Sequence, residues 1–179
     1  MTTLQMLSNE HLAVTQKMAS FITILSKLMA GQALEAAPPL EDIRAFIRKA
    51  ILPHFELEEK SVFPLLLSRE DNKKLHDELM EEHRLLREQF GLFLELCQKD
   101  EVSHEFIQTS ADMITNLIVH AKKEDRVLIP LIRKMFEIDN DEPLPHAPPI
   151  IYSSNGPKTG GSAATLINEQ SAEKDNKDS

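Results

Sequence analysis

The sequence predicts an all-α protein, an antiparallel up-down-up-down four-helix bundle followed by a disordered C-terminal tail. Three observations lead there. Residues 1–138 are rich in Leu, Glu, Lys and Met, and only two of the chain's five glycines fall among them. Their apolar positions recur at spacings of three and four, the period of a helix with one buried face. Four such stretches of roughly 25 to 30 residues are joined by short connections, which make successive helices antiparallel neighbours.

The first helix is expected from Leu4 to Met29, with Leu4, Leu7, His11, Val14, Met18, Phe21, Leu25 and Leu28 on one stripe. The second begins after Pro38-Pro39, where Glu41 and Asp42 suit a first turn, and ends near Leu67. It carries Ile43, Ile47, Ala50, His54, Leu57 and Glu58 inward. Pro53 removes a backbone donor and crowds the carbonyl four residues back, so a kink or restart is expected there. The third helix follows the polar break Ser68–Asn72 and aligns His76, Leu79, His83, Leu86, Phe90, Phe93 and Cys97. The fourth starts at Ser103, an N-cap residue type, and aligns Phe106, Ser110, Met113, Leu117, His120, Glu124, Val127 and Leu131. Residues 139–179 hold five of the ten prolines and three of the five glycines, with Ile150, Ile151 and Tyr152 as their one apolar cluster. That composition cannot build a packed core and reads as a disordered tail.

Composition narrows the function. A net charge of −9 disfavours nucleic acid and anionic membranes, both of which reward clustered Lys and Arg. Charges interrupt every apolar stretch, and no basic flank followed by an apolar run opens the chain, so neither a spanning helix nor a signal peptide is expected. Cys97 is the single cysteine, which suits a reducing cytoplasm.

One string occurs twice. His54 is followed by Glu58, Glu59, Lys60 and Pro64, and His120 by Glu124, Asp125, Arg126 and Pro130, at matching offsets and with aliphatic residues around each proline. Four residues are one helical turn, so each His shares a face with its Glu. Seven His and 29 acids in 179 residues give about one such pair by chance, so spacing alone is weak evidence. Position carries more weight. At about 1.5 Å of rise per residue, His11, His54, Glu58, His83, His120 and Glu124 fall within about one and a half turns of one another along the bundle. All six lie on core-facing stripes. Such a layer buries two carboxylates and four imidazoles with no Lys or Arg among them, at a cost of several kcal/mol per unpaired charge. A pair of divalent cations resolves that cost, and imidazoles with bridging carboxylates suit iron, zinc or copper.

The order of ligand types separates this pattern from the ferritin-like one, where Glu-x-x-His has the Glu first. The pattern His, His-x-x-x-Glu, His, His-x-x-x-Glu resembles the hemerythrin-like cation-binding domains. The match runs over about residues 4–138, in Asn9-Glu10-His11, His54 to Pro64, Glu81-Glu82-His83 and His120 to Glu124. The resemblance implies two non-heme irons, with His11, His54, His83 and His120 as terminal ligands and Glu58 and Glu124 as bridges. It also implies a protein that binds or senses dioxygen, handles nitric oxide or peroxide, or senses and donates iron. An enzyme consuming peroxide or nitric oxide and an iron-storing module with a protein partner are the alternatives on the same site. Oxygen-carrying hemerythrins have five His ligands, two of them close together on the third helix. Here the third helix offers His83 and His76, about 10 Å apart along the axis, which cannot share one iron. The remaining position falls to a carboxylate, a water or His76. Glu59 and Asp125 are expected behind the ligands or in solvent, and His104 and His146 structural or solvated. Glu10 and Glu82, each just before a candidate ligand, are expected to face solvent, with a hydrogen bond from a neighbouring imidazole as the alternative.

Overall fold

The computed structural model describes residues 3–31, 37–98 and 102–137. The expected tail, with His146 and the Ile150–Tyr152 cluster, lies outside the described residues. Among the described residues all secondary structure is helical, arranged in four columns. The first column is α1 (Thr3–Met29). The second is segmented into α2 (Ala37–Phe46), a π-helical turn (Ile47–Ile51), α3 (Leu52–Ser61) and α4 (Phe63–Leu66). A 3₁₀ turn (Glu70–Asn72) leads into the third, α5 (Lys73–Leu96). The fourth is α6 (His104–Lys123), a second π-helical turn (Glu124–Leu128) and α7 (Ile129–Phe136). Column one packs on columns two and four, and column three packs on the same two, so the columns form a square in chain order. Among the described residues no helix is long and apolar enough to cross a membrane.

The core is two apolar clusters rather than one. Val14, Phe21, Ile47, Phe55, Phe90, Phe93, Phe106 and Met113 belong to the larger. Leu4, Leu7, Val62, Phe63, Leu66, Leu79, Leu128 and Ile132 belong to the smaller. In every column the chain passes from one cluster to the other through a buried His or a His and Glu, so a polar layer separates the two.

Two inward positions differ from the expected stripes, and both sit in π turns. Ala50 is exposed and Ile51 buried, and Val127 is exposed and Leu128 buried. A π turn takes up more residues than an α turn, so the inward position arrives one residue late. Proline explains why the helix widens there. The Leu52 N–H bonds to the Ile47 carbonyl and the Ile129 N–H to the Glu124 carbonyl, each reaching five residues back. The residue after each donor is Pro53 or Pro130, which has no N–H to give and clashes with the tighter α spacing. Pro64, the sequence counterpart of Pro130, acts differently. The helix breaks at Val62, with φ −110°, and restarts as α4.

Ser103 caps α6 as expected: its hydroxyl accepts from the Phe106 N–H at 3.1 Å. Ser103→Ala should lower stability by about 1 kcal/mol, read as a reduced denaturation midpoint at unchanged slope; an unchanged midpoint would remove the cap from the account. Burial pushes the Cys97 thiol up to about 11. Its alkylation at pH 8 should therefore be on the order of a hundredfold slower than that of an ordinary thiol, and should accelerate to the free-thiol rate in denaturant.

Candidate metal centre

All six core-facing polar residues expected from the sequence meet in one layer. Each is at most 7 % exposed, and Glu58, His83 and Glu124 are fully buried. The His54 to Glu58 and His120 to Glu124 spacings place each pair on one helix face, and Glu124 opens the second π turn. His11 and His83 complete the layer from the middle of α1 and α5.

The Nε2 atoms come together in pairs, His11 with His54 at 3.1 Å and His83 with His120 at 2.9 Å. The two carboxylates lie between the pairs and divide their oxygens. Glu58 turns Oε1 to His54 (3.2 Å) and His11 (3.6 Å), and Oε2 to His83 (3.5 Å). Glu124 turns Oε2 to His11 (3.1 Å) and Oε1 to His120 (3.3 Å) and His83 (4.0 Å). None of these four oxygens has a hydrogen-bond partner, and all are shut from solvent.

Around this layer runs a ring of acids. The His54 Nδ1–H donates to Glu10 at 2.6 Å, His83 to Glu59 at 2.8 Å, His120 to Glu82 at 2.8 Å and His11 to Asp125 at 2.8 Å. Each column thus gives one carboxylate to the imidazole of the next, and the fourth closes on the first. Glu10 and Glu82 were expected to face solvent. They are half-buried at the bundle rim instead, because adjacent columns bring an imidazole within reach. Three of the four acids have further partners. Arg87 grips Glu59 through both guanidinium nitrogens at 2.6 and 3.1 Å, Lys123 binds Glu82 at 2.7 Å, and the Ser8 hydroxyl donates to Asp125 at 3.1 Å. His76 lies outside the layer, its Nδ1–H donating to Asp77 at 3.0 Å. His104 is exposed at the start of α6.

The outer acids fix the chemistry inside. An imidazole whose Nδ1 proton is held by a carboxylate presents a lone pair at Nε2. Four Nε2 atoms and four carboxylate oxygens converge with no Lys or Arg among them, an arrangement that costs free energy unless positive charge is supplied. Electrostatics point the same way. Burial would lower the His11 pKa, but the carboxylates of Glu124, Glu58 and Asp125 raise it to about 10. His120 is likewise raised to about 9 against burial, by Glu124 and Glu82. Burial would raise Glu58, yet the imidazoles of His11, His54 and His83 hold it well below the carboxylate range. The hydrogen bond from His120, helped by Lys123, overcomes burial and takes Glu82 down to about 2. The buried carboxylates thus draw positive charge, as protons or as metal ions, onto the imidazoles.

Two sets of atoms have metal-binding geometry. His11, His54, Glu58 and Glu124 offer ligand atoms within 4.8 Å of one another, as do His83, His120, Glu58 and Glu124. The sequence profile of the hemerythrin HHE cation binding domain matches residues 2–132. The chain belongs to this hemerythrin family. No curated protein and no solved structure matches it.

The two halves of this hemerythrin-type layer differ in their walls. Phe55 stacks on His83 with centroids 3.8 Å apart and planes 11° from parallel, and Phe63 lies 4.9 Å from the same ring. The Arg87 guanidinium sits 5.5 Å from the Phe55 centroid. His11 and His54 meet each other edge-on and lack such a stack among the described residues. Carboxylates that orient ligating imidazoles typically contribute about ten- to a hundredfold to metal affinity. Asp125→Asn should weaken metal binding by that factor in competition with a chelator. Glu81→Gln, which alters an exposed acid paired to Arg84, should leave it unchanged; equal affinities for all three proteins would remove the ring from metal binding.

Proposed function

We propose that this hemerythrin-type protein holds a non-heme di-iron centre and binds dioxygen or a related small ligand, nitric oxide or peroxide, at a position the side chains leave open. In this reading His11 and His54 would hold one iron and His83 and His120 the other, with Glu58 and Glu124 shared between them. The division of each carboxylate's two oxygens between the two imidazole pairs is the observation that carries it.

Charge supports two ions. Six carboxylates lie in and around the layer, Glu10, Glu58, Glu59, Glu82, Glu124 and Asp125, and Arg87 and Lys123 are the cationic side chains that pair with them. Four positive charges are missing. Protons on Nε2 supply at most two, because nitrogens 3.1 and 2.9 Å apart leave room for one proton per pair. Two divalent cations supply all four. Two imidazoles and two shared carboxylates per ion, a mixed nitrogen and oxygen set, suit iron and leave its coordination incomplete. When bound, the irons would supply reversible coordination of a small ligand or one-electron redox chemistry. The chain's part is to fix the imidazole tautomers, hold the bridges and exclude bulk water with the two apolar clusters.

Purified protein should contain about two irons per chain, and His54→Ala should lose metal and lower the melting temperature, as ligand-coupled stability requires. Iron content near zero, with His54→Ala indistinguishable from the parent protein, overturns the di-iron reading. Exposure of the anaerobically reduced protein to oxygen then separates the roles. A reversible charge-transfer absorption supports ligand binding, turnover of added peroxide supports an enzyme, and release of iron on oxidation supports storage or delivery.

A further inference from the structure

The repeat in the chain makes the two imidazole pairs comparable position by position. Column three repeats column one, with Glu82-His83 in place of Glu10-His11, and column four repeats column two, with His120 in place of His54. The outer acids match as well: Glu82 stands to His120 as Glu10 does to His54, and Glu59 to His83 as Asp125 does to His11. Their counter-charges do not match. Arg87, four residues after His83, closes on Glu59 with both guanidinium nitrogens, and Lys123, three residues after His120, binds Glu82 at 2.7 Å. The equivalent positions in the other half hold Thr15, four residues after His11, and Leu57, three after His54. Thr15 turns its hydroxyl to the His11 carbonyl, and Leu57 packs against the smaller apolar cluster. Among the described residues neither Glu10 nor Asp125 forms an ion pair with Lys or Arg.

Both fixed cations therefore lie behind His83 and His120, and both uncompensated acids behind His11 and His54. A carboxylate that accepts an Nδ1–H pushes electron density toward Nε2 and strengthens the imidazole as a metal ligand. A guanidinium or ammonium on the same carboxylate takes up part of that acceptor capacity, and its own charge opposes a divalent ion nearby. Water screens Glu10 and Asp125, whose side chains are 46 % and 39 % exposed, but supplies no opposing charge. The inner ligands do not offset the difference, since each pair faces one oxygen of Glu58 and one of Glu124.

We propose that the two cation positions are unequal: the His11–His54 position holds its ion the more tightly, and the His83–His120 position, weakened by Arg87 and Lys123, is the exchangeable one. This asymmetry rests on the two-cation reading of the cage and not on the metal being iron. Arg87 and Lys123 act through Glu59 and Glu82, without touching the ion. Loading begins at His11 and His54 and release at His83 and His120, so the centre passes through a one-ion state with one imidazole pair empty. Such a centre gains and loses its second ion as the metal supply changes, while the first stays.

Zinc-loaded full-length protein tests this, because zinc is diamagnetic and the imidazole nitrogens can be followed by NMR as a chelator withdraws it. Two steps of release follow from the shared carboxylates alone; what discriminates is which pair is released first and how variants move the steps. The Nε2 signals of His83 and His120 should leave the metal-bound position first, and those of His11 and His54 at roughly tenfold higher chelator or more. Arg87→Gln and Lys123→Gln should each tighten the first-released position by about tenfold. Arg87→Lys, which keeps the charge, should leave it near the parent value. Were the two cations only structural, their loss would loosen the site, the opposite sign. Release of His11 and His54 first, release of both pairs together, or weaker zinc binding in both Gln variants overturns the proposal. Release in the expected order from a protein that takes up no iron supports it and overturns the di-iron reading instead. Protein that binds neither zinc nor iron overturns both.

Discussion

Four imidazoles and two carboxylates meet at the centre of this bundle with no Lys or Arg among them, and the rest of the molecule is organised by that imbalance. Four imidazole Nε2 atoms and the four oxygens of Glu58 and Glu124 occupy a layer from which water is excluded. In an apolar interior such a set is tolerated only around a cation, since each unmet acceptor and each bare carboxylate carries a desolvation cost. The two apolar clusters on either side keep water out and so raise both that cost and the strength of whatever cation satisfies it.

The acid ring turns four separate helices into one constraint. Each imidazole is held on one side by a carboxylate from the preceding column and aimed on the other at the layer's centre, so its orientation depends on two helices being in register. Closing the ring makes each register depend on the others. Arg87, Lys123 and Ser8 keep three of the acids in place, and because Arg87 also lies over Phe55, the aromatic wall of the His83 half is tied to the same network. The halves are consequently alike in ligand type and unlike in surroundings, which is where a repeated motif can acquire an asymmetric function.

Helix number, column limits and the six polar core residues were legible in the sequence because each follows from local periodicity. A stripe at three- and four-residue spacing is set by helix geometry whatever the partner. Two kinds of feature were not legible in this way. Ala50 and Val127 were expected inward because a constant α period was carried through Pro53 and up to Pro130; the π turns before those prolines delay the inward position by one residue. The prolines signalled a disturbance, but whether a helix kinks, breaks as at Val62 or widens is decided by what packs around it. Glu10 and Glu82 were the second kind. Their place just before His11 and His83 allows a hydrogen bond to a neighbouring imidazole as well as a solvent-facing carboxylate, and the local pattern of one helix does not choose between the two.

The sequence by itself determined the bundle, the two half-sites and the family they belong to, because these rest on residue types at fixed offsets along single helices. Tertiary structure decided the pairing of Nε2 atoms, the way Glu58 and Glu124 divide their oxygens, the direction of the acid ring and the unequal counter-charges behind the two imidazole pairs. These are relations between columns. They depend on rotation and height differences of an ångström or two, which side-chain packing sets and the period of one helix does not encode.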